Sequence, residues 1–142
     1  MSLPILTVVA AALINNNDEI LMSCRPIGKP MAGMWEFPGG KIEPYESPET
    51  ALSRELFEEI GISVDPKNMH PVQFASHSYA DFHLLMPLFL IRKWTGEPFP
   101  KENQKLKWES VHTIKVCDMP PPDGPLLESV KNFLRTPEID KC

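Results

Sequence analysis

The chain has 142 residues and a formal net charge of −5. This length is enough for one domain with a single hydrophobic core, and we expect that domain to span residues 1–142. The acidic balance argues against a nucleic-acid polymer as partner, because binding to its backbone needs a basic surface. No apolar run reaches the ~18 residues of a membrane-spanning helix, so no membrane partner is expected either.

The N-terminal segment predicts two strands and a loop. Residues 6–14 (LTVVAAALI) form an apolar run that predicts a buried central strand. A turn is predicted at residues 15–18, where Asn and Asp tolerate left-handed conformations, and a second strand at residues 19–23. Arg25 closes that strand, and a Pro- and Gly-containing loop leads to the segment MWEFPGG. Its two adjacent glycines let the backbone approach a ligand closely.

A helix is predicted over residues 48–60. Ser47 is a good N-cap, Pro48 suits the first helical position, and Gly61 suits the position after the last turn. At the helical repeat, one apolar arc faces a core. This arc consists of Leu52, Leu56 and Ile60.

Three carboxylates form the adjacent arc of the same helix. Glu55, Glu58 and Glu59 stand at i, i+3 and i, i+4 spacings, and no basic residue is expected between them. Like charges repel, and a bound divalent cation would offset the repulsion. Oxygen ligands suit Mg²⁺ or Mn²⁺. An ordinary acidic surface helix is the alternative that this pattern alone leaves open.

The second half of the chain predicts more strands and a closing helix. Strands at residues 71–80 and 82–94 are expected to join through a tight turn at Ala80 and Asp81. Pro87 lies inside the second strand, which predicts an edge position or a bulge. A short strand at 107–111, a short helix at 112–116, a stiff loop at 120–125 and a helix at 126–134 follow.

The thiols and imidazoles show no metal-ligand spacing. Cys24, Cys117 and Cys142 are scattered and odd in number, which is typical of reduced cysteines in a cytoplasmic protein. His77 and His83 have no Cys or His at ligand spacing, so we expect ordinary strand residues.

One stretch resembles a family signature. Residues 40–62 read G-x5-E-x7-R-E-U-x-E-E-x-G-U, where U is aliphatic, with no position missing. This pattern resembles the Nudix box of hydrolases that cleave nucleoside diphosphates linked to another moiety. The segments MWEFPGGKIEPYES, RKWTGEP, KENQ and PPPDGP are similar to the MutT branch, whose members hydrolyse oxidised purine nucleoside triphosphates. The resemblance implies an α/β fold, the Nudix α/β/α sandwich with a mixed central β-sheet.

The resemblance also implies a reaction and its residues. A nucleoside triphosphate and water would give a nucleoside monophosphate and pyrophosphate, with Mg²⁺, or alternatively Mn²⁺, as cofactor. Arg54 would hold a catalytic carboxylate in place, and either Glu55 or Glu102 would be the general base. The implied metal ligands are the Gly39 carbonyl, Glu55, Glu58, Glu59 and Glu102.

The expected substrate contacts come partly from the resemblance and partly from position. Tyr79 and Phe82 flank a turn and would wall a base pocket, with core packing as the equal alternative. The same alternatives hold for Trp35, as a base-stacking or a core residue. The substrate-binding set is Arg25, Glu36, Phe37, Pro38, Gly39, Tyr79, Phe82 and Asp123.

Two positions depart from the MutT pattern. Asp123 stands where the best-known members have the Asn that reads oxidised guanine, and Pro30 stands where they have a His. A purine nucleoside triphosphate such as 8-oxo-dGTP remains the expected substrate, and a pyrimidine nucleoside triphosphate such as CTP is the alternative. ADP-ribose and dinucleoside polyphosphates are weaker alternatives, as is a non-catalytic module that only binds a nucleotide. Asp123 has its own alternative as a turn residue that bonds its own backbone. We expect a monomer or weak dimer.

Overall fold

The structure is a computed structural model and describes residues 2–135. The strands are β1 (Ile5–Leu13), β2 (Glu19–Cys24), β3 (Trp35–Glu36), β4 (Gly39–Lys41), β5 (Met69–Ser78), β6 (His83–Ile91) and β7 (Lys105–Ser110). The α-helices are α1 (Pro48–Ile60) and α2 (Asp123–Arg135), and 3₁₀ turns occur at Pro66–Asn68 and Val116–Asp118. Within this range no helix combines the length and apolarity needed to cross a membrane.

Helix α1 has the predicted bounds, and its ends show why. The Ser47 hydroxyl accepts a hydrogen bond from the Thr50 N–H at 3.1 Å, so one of the first free donors is satisfied. Gly61 has φ of 74°, in the left-handed region that favours glycine, and its N–H donates to the Phe57 carbonyl at 3.1 Å.

The strands form two sheets. The first has the order β4-β1-β6-β5; β1 and β6 are parallel, and the other pairs are antiparallel. The second is antiparallel with the order β3-β2-β7. The mixed sheet confirms the predicted class, and β1 is its buried inner strand.

Strand β1 separates two hydrophobic cores. Val9, Ala11 and Leu13 pack with the apolar arc of α1, Leu52, Leu56 and Ile60. Ala10 and Ala12, which alternate with them, pack with Leu126, Leu127 and Val130 of α2. Since successive side chains of a strand point to opposite faces, the two helices cover opposite faces of the sheet. This is the predicted α/β/α sandwich.

The edge position predicted for the strand of Pro87 is wrong. Strand β6 pairs on both sides, and Pro87 lies opposite Phe74 of β5. On the other side, Leu85 and Leu88 pair with β1, but the two residues between them have no registered partner there. The missing N–H of proline therefore falls in a gap of that ladder. A register shift does occur nearby, but on β5, between Pro71 and Gln73.

The C-terminal third also differs from its prediction. The helix predicted at residues 112–116 is absent, and the 3₁₀ turn lies later, at Val116–Asp118. Helix α2 begins at Asp123, inside the segment predicted as a loop, and the Asp123 N–H donates to the Pro120 carbonyl at 3.0 Å. Pro125 is compatible with this start, because the first-turn N–H groups have no partner within a helix.

The packing of α1 yields a stability prediction. Leu56 is fully buried, so Leu56→Ala should lower the free energy of unfolding by ~2–5 kcal/mol through the cavity it leaves. The neighbouring Phe57 is 55% exposed, and Phe57→Ala should cost no more than about 1 kcal/mol. Urea denaturation of the two variants tests this, and equal losses would contradict the assignment of the buried face.

Candidate active site

Two adjoining cavities open beside β1, β4 and the loop after β2. The first has a volume of about 530 Å³ and mostly apolar walls, including Leu6, Val8, Phe37, Phe82, Leu84 and Met86. The second, of about 440 Å³, is more polar and is lined by Lys29, Pro38, Glu59, Glu102 and Gln104 among others. Both are lined by Arg25, Pro30 and Glu36. A ligand with a flat apolar end and a charged end would therefore match the pair.

Arg54 lies among the carboxylates of α1, not apart from them. Its guanidinium donates to both oxygens of Glu46 at 2.8 Å and to Glu55 at 2.9 Å. It also reaches Glu58 at 3.4 Å and the Lys41 carbonyl at 3.1 Å. The expectation of a wedge without a cation is thus wrong, because the side chain of Arg54 folds back across it. The forked bond lowers the pKa of Glu46 to about 2.

Glu55 lies against Gly40, one of the two adjacent glycines. A Cβ on Gly40 would overlap the Glu55 carboxylate, and one on Gly39 would overlap the Val9 carbonyl oxygen. Position 39 therefore needs glycine because the clash is with backbone, whereas a side chain at position 40 would displace the Glu55 carboxylate. Burial raises the pKa of Glu55, the Arg54 guanidinium opposes this shift, and the charges of Glu58 and Glu102 add to it.

Glu59 and Glu102 complete an acidic cluster. Burial, and then the charges of Glu55 and Glu102, raise the pKa of Glu59 to about 8, against a backbone hydrogen bond from Gly39. Glu58 and Glu102 are exposed, Glu58 at 53% of its side chain. The Glu102 charge thus disfavours the charged forms of Glu55 and Glu59, and the Glu55 charge disfavours that of Glu59. A divalent cation among them would relieve the repulsion.

The cluster suits a hard cation in its chemistry. Its donors are all oxygens, as Mg²⁺ and Mn²⁺ prefer. Within residues 2–135, however, no three or more acidic, histidine or cysteine side chains already stand close enough together to enclose a metal ion. The ion pairs of Arg54 with Glu55 and Glu58 account for part of this, because two of the candidate ligands point toward the guanidinium.

Asp123 presents a carboxyl group to the apolar cavity. It is the first residue of α2 and only 4% exposed. Burial, and then the Glu36 charge, raise its pKa to about 7, while a backbone hydrogen bond from Phe37 and the Arg25 charge lower it. Its partner is thus another segment of the chain, which disfavours the alternative of a turn residue that bonds its own backbone.

The other predicted contact residues line the same cavity, except Pro38, which lines only the polar one. Arg25 donates to Glu36 at 2.7 Å and to the Pro30 carbonyl at 3.0 Å. Burial raises the pKa of Glu36, and Arg25 opposes the shift. The rings of Tyr79 and Phe82 stack with centroids 4.9 Å apart, and both line the cavity. Burial, and then the Asp123 charge, raise the pKa of Tyr79.

The structure adds to the sequence analysis at Trp35, at Glu46 and in the walls of the apolar cavity. Trp35 is not among the residues that line these two cavities; the Lys107 Nζ lies 4.1 Å from its ring centroid, which favours the packing alternative. Sequence reasoning assigned no role to Glu46, although its place in the family pattern was a signal. It also missed the apolar walls from β1 and β6, because those strands looked like ordinary core.

The structure shows the surroundings of two cysteines and of one histidine. Cys24 is buried, Cys117 is exposed, and both are free thiols, whereas Cys142 lies outside the described residues. The two ring nitrogens of His83 contact the hydroxyls of Ser76 and Ser78 at 2.6 and 2.7 Å.

The burial of Asp123 yields a pH prediction. Its carboxyl titrates near pH 3.8 when unperturbed and near pH 7 in the folded protein. Between these values the unfolded state holds fewer protons, so this group's contribution to the free energy of unfolding falls as pH rises from about 4 to about 7. Asp123→Asn should remove that loss.

Urea denaturation of wild type and Asp123→Asn over this pH range measures the effect. The variant should gain stability relative to wild type as pH rises, and a difference that stays constant would contradict the prediction. Glu36→Gln provides a second check, because removing its charge should lower the Asp123 pKa, as followed by carboxyl NMR.

Comparisons with known proteins agree with this arrangement. The sequence matches the NUDIX domain over residues 4–130. It is 36% identical over 128 residues to the 8-oxo-dGTP diphosphatase of Escherichia coli K12, covering 90% of this chain and 98% of that protein. It is 37% identical over 123 residues to the CTP pyrophosphohydrolase of the same strain, covering 85% and 88%.

Solved structures show the same likeness. The E. coli ORF135 protein matches with a TM-score of 0.81 at 31% identity, covering 94% of this chain and 93% of that chain. The MutT NUDIX hydrolase of Burkholderia pseudomallei matches with a TM-score of 0.79 at 27% identity, covering 89% and 98%. The domain match spans most of the chain and includes the motif at residues 40–62. The chain therefore belongs to the Nudix hydrolase family, as that motif predicted.

Proposed function

We propose that this protein hydrolyses nucleoside triphosphates to nucleoside monophosphates and pyrophosphate with a divalent metal ion, and that its substrates are oxidised purine nucleotides such as 8-oxo-dGTP. The observation that carries the proposal is the pairing of the two cavities. An apolar cavity with a buried carboxyl group adjoins a polar one lined by acidic residues of α1 and its neighbouring loop. The 8-oxo-dGTP diphosphatases among the relatives support the choice of substrate.

The apolar cavity would take the base. Its aliphatic walls and the paired rings of Tyr79 and Phe82 suit a flat heterocycle. Asp123 would meet the polar edge of the base. An ionised carboxylate only accepts hydrogen bonds, whereas the protonated form also donates. Because its pKa is about 7, both forms are accessible near neutral pH, so an N–H edge or an oxygen edge can be matched.

The polar cavity would take the phosphates. Arg25 lines both cavities and would contact the substrate where they meet. The residues that would hold the metal are the Gly39 carbonyl, Glu55, Glu58, Glu59 and Glu102, with Mg²⁺ as the preferred ion and Mn²⁺ as a substitute. When bound, the cation offsets phosphate charge and lowers the pKa of a water molecule.

The remaining chemistry belongs to the side chains. The attacking water forms a new bond to phosphorus as the bond to the bridging oxygen breaks, and a carboxylate takes the proton of the water. Glu55 and Glu102 are both candidates for this base. Arg54 would act as a positioning residue, because it bonds Glu55 at 2.9 Å while its other edge is fixed by both oxygens of Glu46.

A pyrimidine triphosphate is the second candidate substrate. The likeness to a CTP pyrophosphohydrolase and the replacement of the family Asn by Asp123 favour it. A module that only binds nucleotides is disfavoured, because binding alone does not require Glu55, Glu58 and Glu59 together. In the cell, we place the enzyme in the cytoplasm as a monomer or weak dimer. There it would clear damaged nucleotides from the pool before DNA replication, a role allied to DNA repair and antimutator activity.

A release assay tests the proposed substrate. Purified protein with Mg²⁺ is given 8-oxo-dGTP, dGTP, dATP and CTP, and monophosphate and pyrophosphate are quantified. The highest kcat/KM is expected for 8-oxo-dGTP. Asp123→Ala should raise KM for the preferred base and change the ranking, because a base edge would then lack its partner. A ranking led by CTP would select the second candidate, and parallel changes for all four would limit Asp123 to shaping the cavity.

A second prediction concerns the metal. Activity should vanish after exhaustive EDTA treatment and return with Mg²⁺ or Mn²⁺. Glu59→Gln should keep the fold but lower kcat by roughly 10²–10⁴-fold, because it removes a metal-binding charge and not a core contact. Glu49→Gln, at the other end of α1, is the matched control. Turnover that survives chelation, or a Glu59→Gln variant as active as the control, would refute the metal assignment.

A further inference from the structure

The loop after β6 closes the C-terminal end of α1. The last carbonyls of a helix have no partner within it, and this loop supplies donors to them. The Phe99 N–H donates to the Ile60 carbonyl at 3.1 Å, and the Lys101 N–H donates to the Glu59 carbonyl at 3.0 Å. The Lys101 Nζ also lies 3.4 Å from the Phe57 carbonyl. The loop is therefore attached to the helix end that carries the acidic cluster.

Gln104 makes the innermost of these attachments. It is 8% exposed, one of three buried polar or charged residues within residues 2–135. Its Nε2 donates to the Glu59 carbonyl at 2.9 Å, and its Oε1 accepts from the Glu102 N–H at 2.7 Å. One side-chain amide thus joins the peptide groups of two members of the acidic cluster.

The Glu102 side chain depends on this backbone attachment. Glu102 is exposed and precedes Asn103, which has φ of 61°, so it lies on a tight turn. In the described part of the chain, its carboxylate has no hydrogen bond or ion pair of its own, although its charge acts on Glu55 and Glu59. A carboxylate without direct partners is placed by its main chain alone.

We infer that Gln104 is a positioning residue, which holds Glu102 at a fixed place beside Glu59 so that both carboxylates can bind the same metal centre. This inference rests on the proposed function for the metal itself. Both ends of the amide are required: glutamate would lose the donor, methionine would lose donor and acceptor, and asparagine would be too short to span both peptides. The role differs from that of a ligand, because Gln104 acts only through Glu102 and Glu59.

Metal affinity without nucleotide is the first test. Calorimetric titration with Mn²⁺ should show about 10- to 100-fold weaker binding for Gln104→Met, the range seen when a partner of a metal ligand is removed. Gln73→Met is the matched control, because it makes the same exchange at an exposed glutamine on β5. Unchanged affinity in a folded Gln104→Met variant would overturn the inference.

A double-mutant cycle separates positioning from general packing. Glu102→Gln should itself weaken Mn²⁺ binding, and Gln104→Met should then add little, because the group it places is already gone. Fully additive losses, or full Mn²⁺ affinity in Glu102→Gln, would overturn the inference. In kinetics, Gln104→Met should lower kcat more than it raises KM for the nucleotide, since the base cavity is untouched.

Hydrogen exchange tests the attachment in the wild-type protein. The Glu102 amide should be protected although its residue is exposed, because it donates to the buried Gln104. Gln104→Asn, which keeps a polar amide in the same space, should lose this protection. Exchange at the rate of a free loop in wild type would overturn the inference. Neither the Mn²⁺ titrations nor hydrogen exchange needs turnover, so a protein that binds Mn²⁺ as described but hydrolyses no triphosphate would refute the proposed function alone.

Discussion

Repulsion among carboxylates of α1 and of the loop after β6 is the interaction on which the site depends. The charge of Glu102 raises the pKa of both Glu55 and Glu59, and the charge of Glu55 raises the pKa of Glu59 further, so the folded chain holds these carboxylates together at a cost in free energy. Packing of the adjacent apolar arc of α1 into a buried hydrophobic core offsets this cost. Arg54 adds a partial remedy, since it bonds Glu55 directly and is itself fixed by Glu46. Charge crowding on one arc of the helix is therefore possible because the adjacent arc is well packed.

Burial has a second consequence at the opposite side of β1. Burial raises the pKa of both Glu36 and Asp123, and the Glu36 charge raises the pKa of Asp123 further. Arg25 moderates both shifts and bonds Glu36. The apolar cavity therefore has a polar end whose hydrogen-bonding character changes near neutral pH, while the walls remain constant. Recognition and cleavage would thus be governed by separate groups of acids on separate faces of the same strand.

The bounds of α1 were the most predictable feature of the sequence, and the contacts among the side chains of the site were the least predictable. The bounds of α1 could be predicted because Ser47, Pro48 and Gly61 act locally, within one turn of the backbone. The start of α2 could not, because a proline pattern that favours a loop is equally compatible with a first helical turn. The inner position of β6 was missed for a related reason, since the strand pairing that accommodates Pro87 is not a local property. The acidic set came from spacing and resemblance, whereas the fold of Arg54 across it and the amide of Gln104 became visible only in three dimensions.

The segment that joins the two cavities has a fixed length. Phe37 lines the apolar cavity, the backbone of Gly39 donates a hydrogen bond to the Glu59 carboxylate, and Gly40 lies against the Glu55 carboxylate. Three residues span at most about 10 Å, and β4 pairs the glycine end of this segment with β1. In the proposed reaction, this segment would set the distance between the base and the phosphoanhydride bond that is cleaved. A nucleotide would then be selected by the separation of its two ends as well as by the identity of its base.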